Sequence, residues 1–121
     1  MLSPVPVCGT QTNQTQGGEV MRMIMLVQFP IEPFNTLVRN GTVPATMKKI
    51  MEAVKPEHIW FSEREGKRGA IMTVNVEDPS DVPRLAEPWF LALNAEVEFR
   101  IAMTPEELGR ADLGARGKQW A

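Results

Sequence analysis

The chain has 121 residues, 43% of them hydrophobic and 23% charged, with a formal net charge of −2 at pH 7. That composition suits a soluble globular domain with apolar residues for one core, and not two. The slightly acidic balance gives no electrostatic reason to expect nucleic acid or an anionic membrane as a partner.

Residues 1–20, MLSPVPVCGTQTNQTQGGEV, carry one charge, Glu19, and show no hydrophobic period. They read as an extended N-terminal arm that buries too little apolar surface to fold alone. The arm has neither the basic nor the apolar region of a secretory signal. Cys8 is the only cysteine, so no intrachain disulfide is expected and a reducing, cytoplasmic setting fits. A single domain is expected over 21–121, and no apolar run in it approaches the roughly 20 residues that span a bilayer.

RMIMLVQF (22–29) is a continuous apolar run stopped by Pro30, which suits a buried central strand. PFNTLVRN (33–40) and ATMKKIMEAVK (45–55) follow. In the second, Met47, Ile50, Met51 and Val54 recur at helical spacing. Gly41 and Pro44 interrupt the pair, so a broken helix is expected. EHIWFSER (57–64) and AIMTVNVE (70–77) read as two strands joined by a turn at Gly66-Lys67-Arg68-Gly69.

A further helix is expected from about Pro79 to Asn94. Its apolar face is Val82, Leu85, Ala86, Trp89 and Leu93, and Asp78 or Ser80 can cap it. Pro88 should kink or split it, and Trp89 and Phe90 should pack it onto the sheet. AEVEFRIA (95–102) alternates as a fourth strand. Thr104-Pro105-Glu106-Glu107 is a capping box for a short closing helix. The last residues, GARGKQWA, are expected to be loose except where Trp120 packs.

The order β-α-β-β-α-β is the α+β ferredoxin-like arrangement, a four-stranded antiparallel sheet with helices on one face. Right-handed crossovers put strands one and three in the centre. A hairpin centred on 66–69 sets Trp60 opposite Asn75, Ser62 opposite Thr73, His58 opposite Glu77 and Arg64 opposite Ile71. Phe61 and Ile59 then share the helix side with Val74 and Val76. The second face carries Ile24, Leu26, Trp60, Ile71 and Thr73 among Arg, Glu, Asn and Ser. A monomer seldom leaves so apolar a face in water, so a second copy packed sheet to sheet is expected.

Several stretches resemble a known group. RMIMLVQFP (22–30), VKPEH (54–58), DPSDVPRLAEPWFLALNAEVEFR (78–100) and MTPEELGRA (103–111) are similar to small uncharacterised bacterial proteins of the dimeric α/β-barrel superfamily. The resemblance spans roughly 21–121 and implies a ferredoxin-like homodimer with no established activity. Some of those proteins bear a pantothenate synthetase label. That enzyme is a much longer nucleotide-binding protein with a paired-histidine motif, and no residue of it carries over here.

Chemistry-bearing residues are few. One His and one Cys in different segments do not make a metal site, and no phosphate-cradling glycine motif occurs, so no cofactor is expected. An RNA-recognition reading fails because Ala70, Met72 and Asn75 stand where stacking aromatics belong. His58 with Glu77 reads as an edge-strand polar pair or as an oriented general base. Trp60 with Asn75, Ser62 and Thr73 reads as a dimer anchor or as the wall of a small-molecule pocket. Glu98 and Arg100 read as an ion pair or a buried catalytic carboxylate with its partner. Three functions remain open: a homodimer binding a small organic ligand at the sheet, a cofactor-free monooxygenase- or isomerase-type enzyme, and a structural dimerisation module.

Overall fold

In the computed structural model, which describes residues 20–121, one antiparallel sheet carries the chain. The strands are β1 (Met21–Gln28), β2 (His58–Arg64), β3 (Lys67–Val76) and β4 (Glu96–Ile101). Helices α1 (Ile31–Asn40), α2 (Val43–Val54) and α3 (Asp81–Leu93) connect them, and α4 (Pro105–Gly109) and α5 (Leu113–Gln119) follow β4. The strand order is β2-β3-β1-β4 with every pairing antiparallel. The fold class is therefore α+β, with a strand order compatible with a ferredoxin-like fold. The expected arm at 1–20, including Cys8, lies outside the described residues except for Val20.

The helix break falls where Gly41 and Pro44 predict it. Gly41 sits at φ 73, a left-handed conformation that costs glycine nothing, and ends α1. Pro44 then lies in the first turn of α2, where its missing N–H is harmless. Along α3, the helix runs on through Pro88 and is not split. Its start is held by Asp81, whose Oδ2 accepts from the Glu77 and Asp78 amides at 2.9 and 3.2 Å. Ser80 is the N-cap residue but its side chain makes no cap bond.

One face of the sheet meets α1–α3. Met25, Val27, Ala70, Met72 and Val74 are buried against Phe34, Ile50, Val54, Leu85, Trp89 and Leu93. Phe29 binds the strand and helix layers together, its ring 5.2 Å from Phe34 and 5.8 Å from Trp89. Trp89 is fully buried, but its Nε1–H has no hydrogen-bond acceptor among the described residues. Phe90, expected beside it, is 39% exposed, so Trp89 packs α3 onto the sheet with Leu85 and Leu93 and without Phe90. Phe61 lies on the helix side of edge strand β2, opposite Ala70, yet it is exposed.

The hairpin register differs from the sequence expectation. The turn is Glu65-Gly66, at φ 54 and 77. Two successive positive φ values give the type I′ geometry whose twist matches the strands. The Glu63 carboxylate accepts from the Gly66 amide at 2.8 Å and fixes it. Lys67, Arg68 and Gly69 therefore join β3. Trp60 pairs with Ile71 and not Asn75, Ser62 with Gly69 and not Thr73, His58 with Thr73 and not Glu77, Arg64 with Lys67 and not Ile71. The slip is an even number of residues, so each side chain keeps its assigned face.

The end of the chain also departs from expectation. Residues 113–119 form a helix, with Asp112 Oδ1 accepting from the Ala115 amide at 3.2 Å. The Thr104 capping box is present, with bonds of 2.8 and 3.1 Å to and from Glu107. Trp120 does not pack; it is 82% exposed. Among the described residues no helix is long and apolar enough to cross a membrane.

Candidate functional site: the open face of the sheet

Among the described residues no helix packs across the second face of the sheet. Period-two alternation brings all seven candidate residues to it: His58, Trp60 and Ser62 from β2, Thr73 and Asn75 from β3, and Glu98 and Arg100 from β4. Ser62, opposite Gly69, and Asn75 stand apart; the other five fall into three groups.

The first group is aromatic. The His58 and Trp60 rings stack with centroids 5.8 Å apart and planes at 26°. Trp60 is 56% exposed, and its cross-strand partner Ile71 is 40% exposed. The corrected register leaves Asn75 four residues along β3 from Ile71, about 13 Å away. Asn75 therefore does not line a pocket with Trp60; it stands opposite Arg22.

The second group is an ion pair at the start of β1. Arg22 Nε and Nη2 donate to the two Glu57 carboxylate oxygens at 2.9 and 3.1 Å. The Thr73 hydroxyl donates to Glu57 Oε1 at 3.4 Å. Hydrogen bonding from Arg22 holds the Glu57 carboxyl below the usual carboxylate range, and the same bond raises the Arg22 guanidinium.

The third group lies across the sheet. Glu98 accepts from Arg64 at 3.1 Å and from Arg100 at 3.3 and 3.4 Å. These bonds, Arg64 first, hold the Glu98 carboxyl below its usual range. The group borders two open hollows that share Leu26 and Arg64. One, of about 190 Å³, is lined also by Gln28, Glu96, Val97 and Glu98. The other, of about 210 Å³, is lined also by Glu63, Gly69 and Ile71. Gln28 is almost fully buried, and its Nε2 donates to the Arg64 carbonyl at 2.9 Å and to Glu65 Oε1 at 3.3 Å. Its amide thus ties the β1 end to the hairpin turn. A larger depression, about 670 Å³, lies on the helical side between α2 and α3.

Arg64, Gln28 and Gly69 are not among the site candidates the sequence offers, and Leu26 is offered only as part of the apolar open face. Gln28 carried a usable signal, as the one polar residue between Ile24 and Phe29 in an apolar run. Gly69 carried another, because a glycine inside a strand marks close backbone approach. The His58–Glu77 pair expected as an oriented base does not form, because the register sets Thr73 across from His58. Among the described residues no three His, Cys, Asp or Glu side chains gather into a metal-binding group.

The carboxylates set the pH response. Glu32, Glu57, Asp78, Asp81, Glu98 and Glu107 all lie below their ordinary values of 4.5 or 3.8. A depressed carboxylate contributes stability that is present above its unfolded value and lost as pH falls through the folded one. The urea midpoint should therefore be flat from neutral pH to about 5 and fall steadily below about 4.5. A midpoint that rises on acidification would contradict these ion pairs. Because five of the six are solvent-exposed and Asp81 is partly so, 0.5 M salt should flatten part of the fall.

No protein-family model matches this sequence, and no curated protein matches it. A de novo designed protein, Ferredog-Diesel, is similar in structure at 14% identity, with 77% of this chain and 95% of the designed one covered and a TM-score of 0.37. So distant a likeness defines neither fold family nor activity.

Proposed function

We propose that the protein is a ferredoxin-like homodimer of the dimeric α/β-barrel type that binds a small organic ligand at the open face of its sheet, in the cytoplasm. The observation that carries this reading is the composition of that face. Leu26 and Arg64 line both hollows, Glu98 lines one and half-exposed Ile71 the other; Trp60 stands across the strands from Ile71, and Arg100 is bonded to Glu98. Apolar walls with a few convergent polar groups are the usual form of a small-molecule site. Two such faces, packed about a two-fold axis, would close the open hollows into one enclosed space. A planar apolar molecule with an anionic end fits the chemistry: the apolar part against Leu26, Ile71 and the cross-strand neighbour of Ile71, Trp60, with the anion toward Arg64.

Binding is favoured over catalysis by two features. His58 lacks the carboxylate partner expected of an oriented base. Glu98 is held ionised by two arginines, the opposite of the raised value a general acid needs.

The test combines sedimentation with a thermal-shift screen of aromatic carboxylates. Wild type should sediment as a dimer, and Ile71→Glu as a folded monomer, since it places a charge at the centre of the buried face. Trp60→Ala should abolish the thermal shift of any hit and should itself change monomer stability by less than about 1 kcal/mol. A wild type that remains monomeric at micromolar concentration sinks the dimer. A hit whose shift survives Trp60→Ala and Arg64→Ala sinks the site.

A further inference from the structure

The two hollows beside Arg64 differ in chemistry. One is lined by Gln28, Arg64, Glu96 and Glu98 with Leu26 and Val97. The other is mostly apolar, with Leu26, Gly69, Ala70 and Ile71 among its walls. Leu26 and Arg64 belong to both, so a charged half and an apolar half meet at one guanidinium.

Charge divides again within the polar half. Glu98 is paired with both Arg64 and Arg100, so that group carries a net positive charge. Among the described residues the Arg64 side chain donates only from Nη2, to Glu98. Nε and Nη1 keep donors for a ligand carboxylate. Glu96 is the opposite pole. It stands exposed on β4, across from Gln28, and joins no ion pair among the described residues. Lys67 shares a small hollow of about 40 Å³ with Gln28 and Glu96, yet it too stays outside ion-pair distance.

Gln28 decides what the polar half can hold. Its side chain is almost fully buried, and its Nε2 donates to the Arg64 carbonyl at 2.9 Å and to Glu65 Oε1 at 3.3 Å. Those two bonds fix which way round the amide lies. Its Oε1 accepts from no described residue, but it is not sealed inside the protein either. Both hollows that Gln28 lines also contain Glu96. An oriented acceptor therefore opens beside a carboxylate, in the same hollow as a guanidinium with donors to spare. Two acceptors side by side suit an ammonium group, which has several donors and no acceptor.

We propose that the paired hollows hold a zwitterionic α-amino acid with an aromatic side chain. Its carboxylate meets Arg64, its ammonium meets Glu96 and Gln28 Oε1, and its ring lies over Leu26 and Ile71. This rests on the sheet-face ligand site above and names the ligand class. The charged groups of an α-amino acid hang from one carbon, so they need a cation and an anion bordering one small cavity, as Arg64 and Glu96 do. The ring passes into the apolar half, where Gly69 contributes no side chain. An aromatic acid without the amine would leave Glu96 and Gln28 Oε1 unpaired beneath it, and unpaired polar groups discriminate strongly against an analogue that lacks a donor.

Calorimetric titration of the full chain with L-phenylalanine and with hydrocinnamate, the same acid without its amine, tests this in wild type, Glu96→Gln and Arg64→Gln. Wild type should bind L-phenylalanine at least about tenfold more tightly than hydrocinnamate. Glu96→Gln should erase that preference without weakening hydrocinnamate, and Arg64→Gln should abolish binding of both. Glu96 is exposed and its side chain bonds no described residue, so the Glu96→Gln urea midpoint should match that of wild type. If wild type binds hydrocinnamate as tightly as L-phenylalanine, and Arg64→Gln abolishes both, the sheet-face site stands and the amino-acid ligand is overturned. Failure of both acids to bind wild type overturns the two readings together. So does L-phenylalanine binding that survives both substitutions, since the ligand then sits elsewhere, as in the depression between α2 and α3.

Discussion

Trp89→Ala should destabilise the fold by about 3–5 kcal/mol, among the largest losses any single substitution here will cause. Trp89 is completely enclosed, and its ring packs 5.8 Å from Phe29. Phe29 in turn meets Phe34 at 5.2 Å, so removing the indole opens a void beneath α3 and loosens the stack that joins α1 to the sheet. Core cavities cost free energy both through lost transfer and through lost packing contacts. Domains of this size are stable by only about 5–15 kcal/mol, so the alanine variant should sit close to unfolding at room temperature. Trp89→Phe therefore provides the graded test. The phenyl ring keeps much of the volume and removes an Nε1–H that has no acceptor among the described residues. An unsatisfied buried donor costs about 1–3 kcal/mol, which offsets part of the lost packing. Urea unfolding followed by far-ultraviolet circular dichroism should place Trp89→Phe within about 1.5 kcal/mol of wild type and far above Trp89→Ala. Near-equal, large losses for both would mean that the indole N–H finds a partner in solution.

The contrast between the tryptophans shows what a sequence discloses. Trp89 stands at helical spacing with Leu85, Ala86 and Leu93, and that period alone identifies the buried face of α3. The same reasoning finds Ile50 and Val54 on α2, the break at Gly41, the capping box at Thr104, and the face of every strand. These are local patterns, repeated within one element. Register is different. It depends on which two residues form the hairpin turn, and Arg68-Gly69 looks as turn-like as Glu65-Gly66 in one dimension. Only the positive φ pair at 65 and 66 decides between them. Trp60 kept its face but exchanged its partner, and the site moved with it, from Asn75 toward Ile71, Gly69 and Arg64. Trp120 was legible as an aromatic with something to bury, but nothing in LGARGKQW says whether its surface lies on its own domain.

Gly69→Ala should cost about 1–3 kcal/mol, an unusual result for adding one methyl to a strand. Alanine ordinarily gains over glycine in a regular element because it restricts the unfolded chain. Here a Cβ would lie 2.9 Å from the Val27 carbonyl oxygen and 3.5 Å from the Arg64 Cβ. The nearer obstacle is the backbone of a central strand, pinned between β3 and β4, and it cannot move aside as a flexible side chain does. The strands must separate locally, weakening the Gln28–Gly69 pairing and the Gln28 amide bond to Arg64. Ser62→Ala, directly across on edge strand β2, meets no such obstacle and should lie within about 0.5 kcal/mol of wild type. Hydrogen exchange would show the same asymmetry, with the Gly69 variant losing protection at Gln28 and Phe29 first. Equal stability of the two variants would show that β1 and β3 part freely at this point. The residue that makes the hollow beside Leu26 and Arg64 would then owe its presence to the ligand site alone, and Gly69→Ala would reduce binding without touching the fold.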